Sequence, residues 1–166
     1  AIDRESSLQV TLGLGILKRD AMNTTLQKAT ELGVTSIIPV DTTNTSVSRK
    51  QLDKREVQWR QVIQYACEQS GRTQVPNLDI VHTFDDFLRI DKHDLKLIPS
   101  PATDIRMSSI NSAVKSVCVV IGPEGGFTDT EMTLAIENGF LPVAIGKRIL
   151  RAETVPTVIL SLLQDR

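Results

Sequence analysis

The stretch that decides the fold is Ile121-Gly122-Pro123-Glu124-Gly125-Gly126-Phe127-Thr128. An apolar run from Val117 to Ile121 leads into it, and a helical pattern from Asp129 to Asn138 follows. The order is therefore strand, glycine-rich turn, helix start. Pro123 sets one φ angle, while Gly125 and Gly126 permit positive φ and leave backbone bare for a ligand. Thr128-Asp129-Thr130-Glu131 has the Ser/Thr-x-x-Glu form of a capping box, which starts the helix just past the turn. In an open α/β sheet such a loop lies at the carboxyl end of its strand, where ligands bind. By itself a Gly-Gly pair is more often a plain tight connection, so the rest of the chain has to decide.

Working outward, 166 residues suit one domain with a substantial core. The composition, 40% hydrophobic and 23% charged, is that of an ordinary globular protein. No apolar stretch approaches membrane-spanning length, and the first residues lack a signal pattern. Cys67 and Cys118 lie far apart in apolar surroundings, which predicts buried thiols and a cytoplasmic protein. His82 and His93 are isolated, and no Cys/His cluster has metal-ligand spacing, so no metal is expected. The net charge of −1 argues against a general polyanion binder. Between Lys18 and Arg72, however, nine basic residues face six acidic ones, a modest basic region that suits phosphate contact or a solvated surface.

Leu8 to Leu17 reads as a strand whose Gly13 and Gly15 predict close approach by another part of the chain. Asp20 is a candidate N-cap for a helix with Met22, Leu26, Ala29 and Leu32 on one stripe and Gly33 at its stop. Val34 to Val40 is the next strand, completing a βαβ unit. A Thr/Asn/Ser-rich loop, Asp41 to Ser48, precedes a helix predicted over Asp53 to Ser70, with Val57, Val62, Ile63, Ala66 and Cys67 on its apolar side and Trp59 flanking it. Gly71 ends it, and Arg72 follows as either a helix-dipole partner or a cation reaching toward a ligand or RNA. A short strand at Leu78 to Val81, a short helix at Phe84 to Leu88, a strand from Leu95 into Pro99-Ser100-Pro101, and a linker from Asp104 to Ser116 with one helical turn come next. After the glycine loop and its helix, Leu141 to Gly146 is a strand running into Lys147-Arg148-Ile149-Leu150-Arg151-Ala152, and a last helix covers Glu153 to Leu163. Three strands thus end in loops of unusual chemistry, and a parallel sheet brings such loops to one edge.

These residues form a recognisable set. Gly122-Pro123-Glu124-Gly125-Gly126 together with Gly146-Lys147-Arg148-Ile149-Leu150-Arg151-Ala152-Glu153-Thr154 resembles the RsmE family, ribosomal RNA uridine-N3 methyltransferases of the knotted SPOUT class. Glu31-Leu32-Gly33-Val34 and Glu68-Gln69-Ser70-Gly71-Arg72 match two further elements of that family. The resemblance runs from about Leu12 to Gln164. It implies an α/β fold, a mostly parallel sheet flanked by helices, with a C-terminal deep trefoil knot. It also implies S-adenosylmethionine (SAM) as cofactor, a homodimer, and 16S ribosomal RNA or the small ribosomal subunit as partner.

Carried onto this chain, the SAM loops are Leu97 to Pro101 (with Pro99 and Ser100), Ile121 to Gly126 (with Gly122, Pro123 and Gly125), and Ile145 to Ala152 (with Gly146, Ile149 and Leu150). Ile121, Ile145, Ile149 and Leu150 could wall an adenine, and no phosphate cradle is needed. Lys18, Arg72, Lys147 and Arg148 are the candidate RNA contacts. Family members often carry a His-Pro in the loop that reads Pro99-Ser100-Pro101 here, so no histidine base is expected from it. They also carry an N-terminal PUA-like domain, which this chain is expected to lack.

Methylating uridine N3 requires that the ring lose a proton or that its developing charge be stabilised. Arg151 is the candidate for the second task. Glu124 either orients Arg151 or accepts the proton through water; equally, it stabilises the loop as an acceptor for backbone N–H groups. Glu153 reads as a first-turn acid at a helix start. Two other classes compete with this reading. A nucleotide-phosphate-binding α/β enzyme is disfavoured because neither G-x-G-x-x-G nor G-K-[ST] occurs. A catalytically silent RNA-binding module is disfavoured by the intact loop motifs.

Overall fold

The computed structural model describes residues 2–90, 92–110 and 113–165. Its frame is a parallel sheet built from β1 (Gln9–Gly15), β2 (Ser36–Asp41), β3 (Asn77–Leu78), β4 (His82–Thr83), β5 (Leu95–Pro99), β6 (Ser116–Ile121) and β7 (Leu141–Val143). The spatial order is β3-β2-β1-β6-β5-β7, and β4 pairs with β2 beyond β3. All these pairings are parallel.

Among the described residues, five α-helices cover the two faces: α1 (Arg19–Glu31), α2 (Arg49–Ser70), α3 (Phe84–Leu88), α4 (Asp129–Glu137) and α5 (Thr154–Gln164). Side-chain alternation along the strands decides which helix goes where. Val10, Leu12, Leu14, Ile37, Val117, Val119 and Ile121 pack with α1, α2 and α5. Ile38, Val40, Ile98, Cys118 and Val120 point the other way, to Phe84, Phe87, Ala135 and Phe140 of α3, α4 and the residues after α4. Helices on both faces explain why β1, β2 and β6 are apolar nearly throughout.

The glycines of β1 have the role their positions suggested. A Cβ on Gly13 would lie 2.3 Å from the Phe87 ring, and one on Gly15 would lie 2.5 Å from the backbone nitrogen of Pro123. Pro39 stands inside β2, opposite Leu14. It is tolerated because Ile37, two residues earlier, turns its carbonyl toward β3 and accepts from Asp79 N–H, while Val40 turns toward β1. The missing donor of Pro39 therefore falls where the outer edge passes from β3 to β4.

Several boundaries differ from expectation. Helix α1 begins at Arg19 with Lys18 as its cap, so Asp20 lies in the first turn instead of capping it. Helix α2 begins at Arg49, four residues before the expected Asp53. Gln51 Oε1 accepts from Ser48 N–H at 3.4 Å, and Leu52 is buried in that first turn. On α2 the apolar side is centred on Trp59, which is 1% exposed, whereas Val57 is 64% exposed. The strand expected at Leu78 to Val81 is two shorter ones, β3 and β4, with exposed Ile80 between them. Within the linker before β6, Met107–Ser109 forms the single helical turn as a 3-10 helix; residues 111 and 112 lie outside the described residues. Cys67 and Cys118 are buried and free, and burial pushes the Cys118 thiol up to about 12.

Candidate active site

β6, β5 and β7 are consecutive neighbours in the sheet, and all three point the same way. Their carboxyl-end loops therefore meet. Val143 O accepts from Ser100 N–H at 2.9 Å, and Ala144 N–H donates to Ile105 O at 2.7 Å, which ties the loop after β5 to the end of β7. Between the three loops runs a cleft. One part, about 370 Å³, is bordered by the glycine loop, Pro99, Phe127 and Met132. A narrower slot of about 110 Å³ continues it between Pro101, Ile145, Gly146, Ile149 and Val155. Leu150, Pro99 and Pro101 border both parts.

The glycine loop has a defined shape. Gly126 N–H donates to Pro123 O at 2.9 Å, so Pro123 to Gly126 is a β-turn with Glu124 and Gly125 at its tip. Gly126 has φ +71° and Gly146 has φ +132°; no heavy atom stands within 4 Å of a Cβ placed on either. Backbone at both points therefore faces open space. Past the turn, the capping box of α4 is complete: Thr128 N–H donates to Glu131 Oε1 at 2.9 Å, and Glu131 N–H donates to Thr128 Oγ1 at 3.1 Å. The second oxygen of buried Glu131 accepts from Thr43 N–H at 3.2 Å.

Glu124 leans out of the turn and accepts from Lys18 N–H at 2.7 Å. It supplies from across the chain what the capping glutamate of a box supplies locally, and its charge suits the amino end of α1. This is why α1 starts at Arg19 without using Asp20 as a cap. Beyond Glu124 the cleft opens into a larger cavity of about 860 Å³. Lys18, Arg19 and Thr24 of the α1 side face Arg151, Ala152 and Glu153 across it. Arg55, on α2, donates to Leu17 O at 3.0 Å beside this cavity. Burial and the Arg19 charge push its guanidinium below the ordinary value, with Glu124 opposing.

Most of the expected site residues therefore gather here: those of the three loops, together with Glu124, Arg151, Arg148 and Lys18. Lys147 is exposed beside them. Leu97 does not join them. It is fully buried in the middle of β5, paired with Val119 and Leu141, and is a core residue. Arg72 does not reach the site either. Its side chain is 7% exposed, forms an ion pair with Glu5 at 2.7 Å, and donates to Thr30 O and Val34 O at 3.0 and 2.8 Å. Four of its five N–H donors are spent within the chain. Its role is to tie the N-terminal segment, the end of α1 and the end of α2 together. Sequence reasoning passed over Asn44, whose side-chain amide donates to Gly125 O and Gly126 O, each at 3.1 Å. Among the described residues no three His, Cys, Asp or Glu side chains group as metal ligands.

Residues 4–164 match the family model described as an RNA methyltransferase domain. The chain belongs to this RNA methyltransferase family. Among relatives, it is 32% identical to the ribosomal RNA small subunit methyltransferase E of Buchnera aphidicola over 163 residues, covering 96% of this chain and 64% of that protein. Against the same-named protein of Synechocystis the identity is 35%, covering 95% and 53%. The chain thus spans roughly half to two thirds of the length of these family members. A Neisseria gonorrhoeae ribosomal RNA small subunit methyltransferase E, solved with bound SAM, superposes with a TM-score of 0.91 at 38% identity, covering 97% of this chain and 67% of that one. Family membership and the parallel α/β architecture agree with the resemblance drawn from the two glycine-containing loops.

Proposed function

We propose that this chain is the cofactor-binding and catalytic part of a SAM-dependent methyltransferase that modifies N3 of a uridine in 16S ribosomal RNA. The observation that carries the proposal is the cleft made by the three loops after β5, β6 and β7, together with the SAM-bound state of a 38% identical relative of the same fold. The cleft suits this cofactor. The slot beside Ile145, Ile149 and Leu150 is narrow and apolar enough for a purine, and the open backbone at Gly146 offers polar groups without side-chain obstruction, while Gly126 lets a ligand come close to the turn. SAM carries no phosphate, so the lack of a phosphate-binding motif is no obstacle. When bound, SAM supplies an electrophilic methyl group.

The chain's own residues do the rest. Pro99, Pro101 and the glycine turn hold and orient the ligand in the cleft. The larger cavity beyond Glu124 takes the splayed target nucleotide. Arg151 steadies negative charge developing on the uracil carbonyls, and Glu124 orients it or receives the N3 proton through water. Lys18 and Arg148 lie at the rim for phosphate contacts, with Lys147 beside them. Ile149, 92% exposed in one chain, suits a role in a homodimer. The return of α5 from the β7 edge to α1, past the bridge between Arg106 and Ala144, suits the knotted path of the class. Part of the RNA grip belongs to a companion domain within the length that this chain does not span. The enzyme then works in the cytoplasm, where small subunits are matured; among the described residues no helix is long and apolar enough to cross a membrane.

Calorimetric titration with SAM and, separately, with ATP tests the reading. Saturable SAM binding with no ATP binding is expected. ATP binding without SAM binding would favour a nucleotide-phosphate enzyme, and binding of neither would leave a silent RNA-binding module.

A further inference from the structure

We infer that Asn44 is a positioning residue: its side-chain amide holds the Gly125-Gly126 turn in the shape that the cofactor cleft requires. The inference rests on the reading of this cleft as a SAM site. Asn44 lies 81 residues from Gly125, on the loop after β2. That loop is itself braced. Thr45 N–H donates to Thr42 O at 3.1 Å, Thr42 N–H donates to Thr45 Oγ1 at 3.0 Å, and Thr43 N–H reaches buried Glu131 at the cap of α4. Asn44 is thus presented by a fixed backbone.

Its amide nitrogen has two hydrogens and meets two acceptors, Gly125 O and Gly126 O, each at 3.1 Å. Consecutive carbonyls of an extended chain point to opposite sides, so drawing both to one nitrogen selects a bent backbone. Gly126 at φ +71° supplies that bend. The arrangement also explains Gly125, whose φ is not positive. A Cβ there would stand 2.9 Å from the Asn44 Cβ, so glycine is needed for Asn44 to come this close. With both carbonyls turned toward Asn44, the turn keeps its other side for the cleft, and Glu124 at its tip is held where it meets Lys18 N–H. Two bonds to carbonyls that are otherwise loop groups are a modest clamp, which suits a loop that must be shaped without anchoring the fold.

Asn44→Asp separates this role from a general structural one. The substitution is isosteric, but it replaces the shared donor with an oxygen facing two carbonyl oxygens. In the variant, the SAM Kd should rise by about tenfold or more, the equivalent of one to two lost hydrogen bonds. Amide hydrogen exchange across residues 122–127 should quicken, while the exchange of β1 and β6 stays as in the wild type. Asn44→Ser, which keeps one donor, should fall between the two. Wild-type SAM affinity and wild-type loop exchange in Asn44→Asp would overturn the inference. Quickened exchange in the strands as well would overturn it too, because the residue would then support the whole fold. If the wild-type chain itself binds no SAM, the functional reading fails, and this role in shaping a cofactor cleft fails with it.

Discussion

Glu124 carries two demands at one side chain. It accepts a backbone N–H at the start of α1, and it stands on the boundary between the cleft and the larger cavity. The first role needs only an acceptor oxygen; the second, in the proposed chemistry, needs the charge. Glu124→Gln divides them, since glutamine keeps an acceptor and loses the carboxylate. The melting temperature and SAM affinity should stay near wild type, while the methylation rate of the full-length enzyme should fall by about 10²-fold or more. Unchanged turnover would return Glu124 to a purely structural part. Arg151 is exposed at the cavity with no such double duty. In Arg151→Ala the rate should likewise drop by about 10²-fold with SAM affinity preserved, as measured by single-turnover methylation and calorimetry. A variant that methylates at the wild-type rate would remove Arg151 from the mechanism.

At the scale of elements, β1 and the glycine loop are fitted to one another. Gly15 ends β1 directly beneath Gly122 and Pro123, at distances no side chain could share. Gly15→Ala should therefore push backbone against backbone. A loss of about 1–3 kcal/mol is expected in denaturant unfolding, with SAM binding weakened in parallel, because the loop and the strand cannot both keep their places. Much of this level could be read in advance. Short apolar runs, the Thr128-x-x-Glu131 box and the Pro99-Ser100-Pro101 turn located six strands and the helices around them to within a few residues. Three of the misses share one physical cause. Helix α1 takes its first turn from Glu124, 106 residues away, so its local cap signal at Asp20 misleads. Arg72 looks like a free cation at a helix end because its partner, Glu5, is 67 residues distant. Asn44 lies in a stretch whose composition says only "loop". Leu97 entered with the loop that the resemblance assigns, whereas alternation along β5 turns it into the core. For α1, Arg72 and Asn44 the deciding partner comes from elsewhere in the chain, and no local pattern encodes it.

For the molecule as a whole, the Glu5–Arg72 pair is the main fastening of the N-terminal segment. Glu5 accepts from the Arg72 guanidinium and from the N–H groups of Thr73 and Gln74. The Arg72 hydrogen bonds, reinforced by those N–H groups and opposed by burial, hold the Glu5 carboxyl down to about 2, from an ordinary 4.5. A carboxyl whose pKa is depressed by folding contributes stability that is fully present above its unfolded value. That contribution is lost as the pH falls toward the folded value. Stability should therefore decline as the pH falls from about 4.5 to about 2. Glu5→Gln should be less stable at neutral pH and show a shallower loss across that range, as followed by urea unfolding at a series of pH values. Equal slopes for the two proteins would show that the pair does not govern the acid limb.

The Lys18–Glu124 hydrogen bond, finally, bears on how the protein is made. It joins parts of the chain that leave the ribosome 106 residues apart, and the loop containing Arg151 emerges later still. Neighbouring β1 and β6 are separated to a similar extent, Gln9 pairing with Ser116. Such long-range closure is slow and comes late. A polypeptide that stops short of Arg151 and Val155 lacks residues that line both the cleft and its adjoining cavity. The cleft therefore takes shape only after β7 and the loop that follows it have been made.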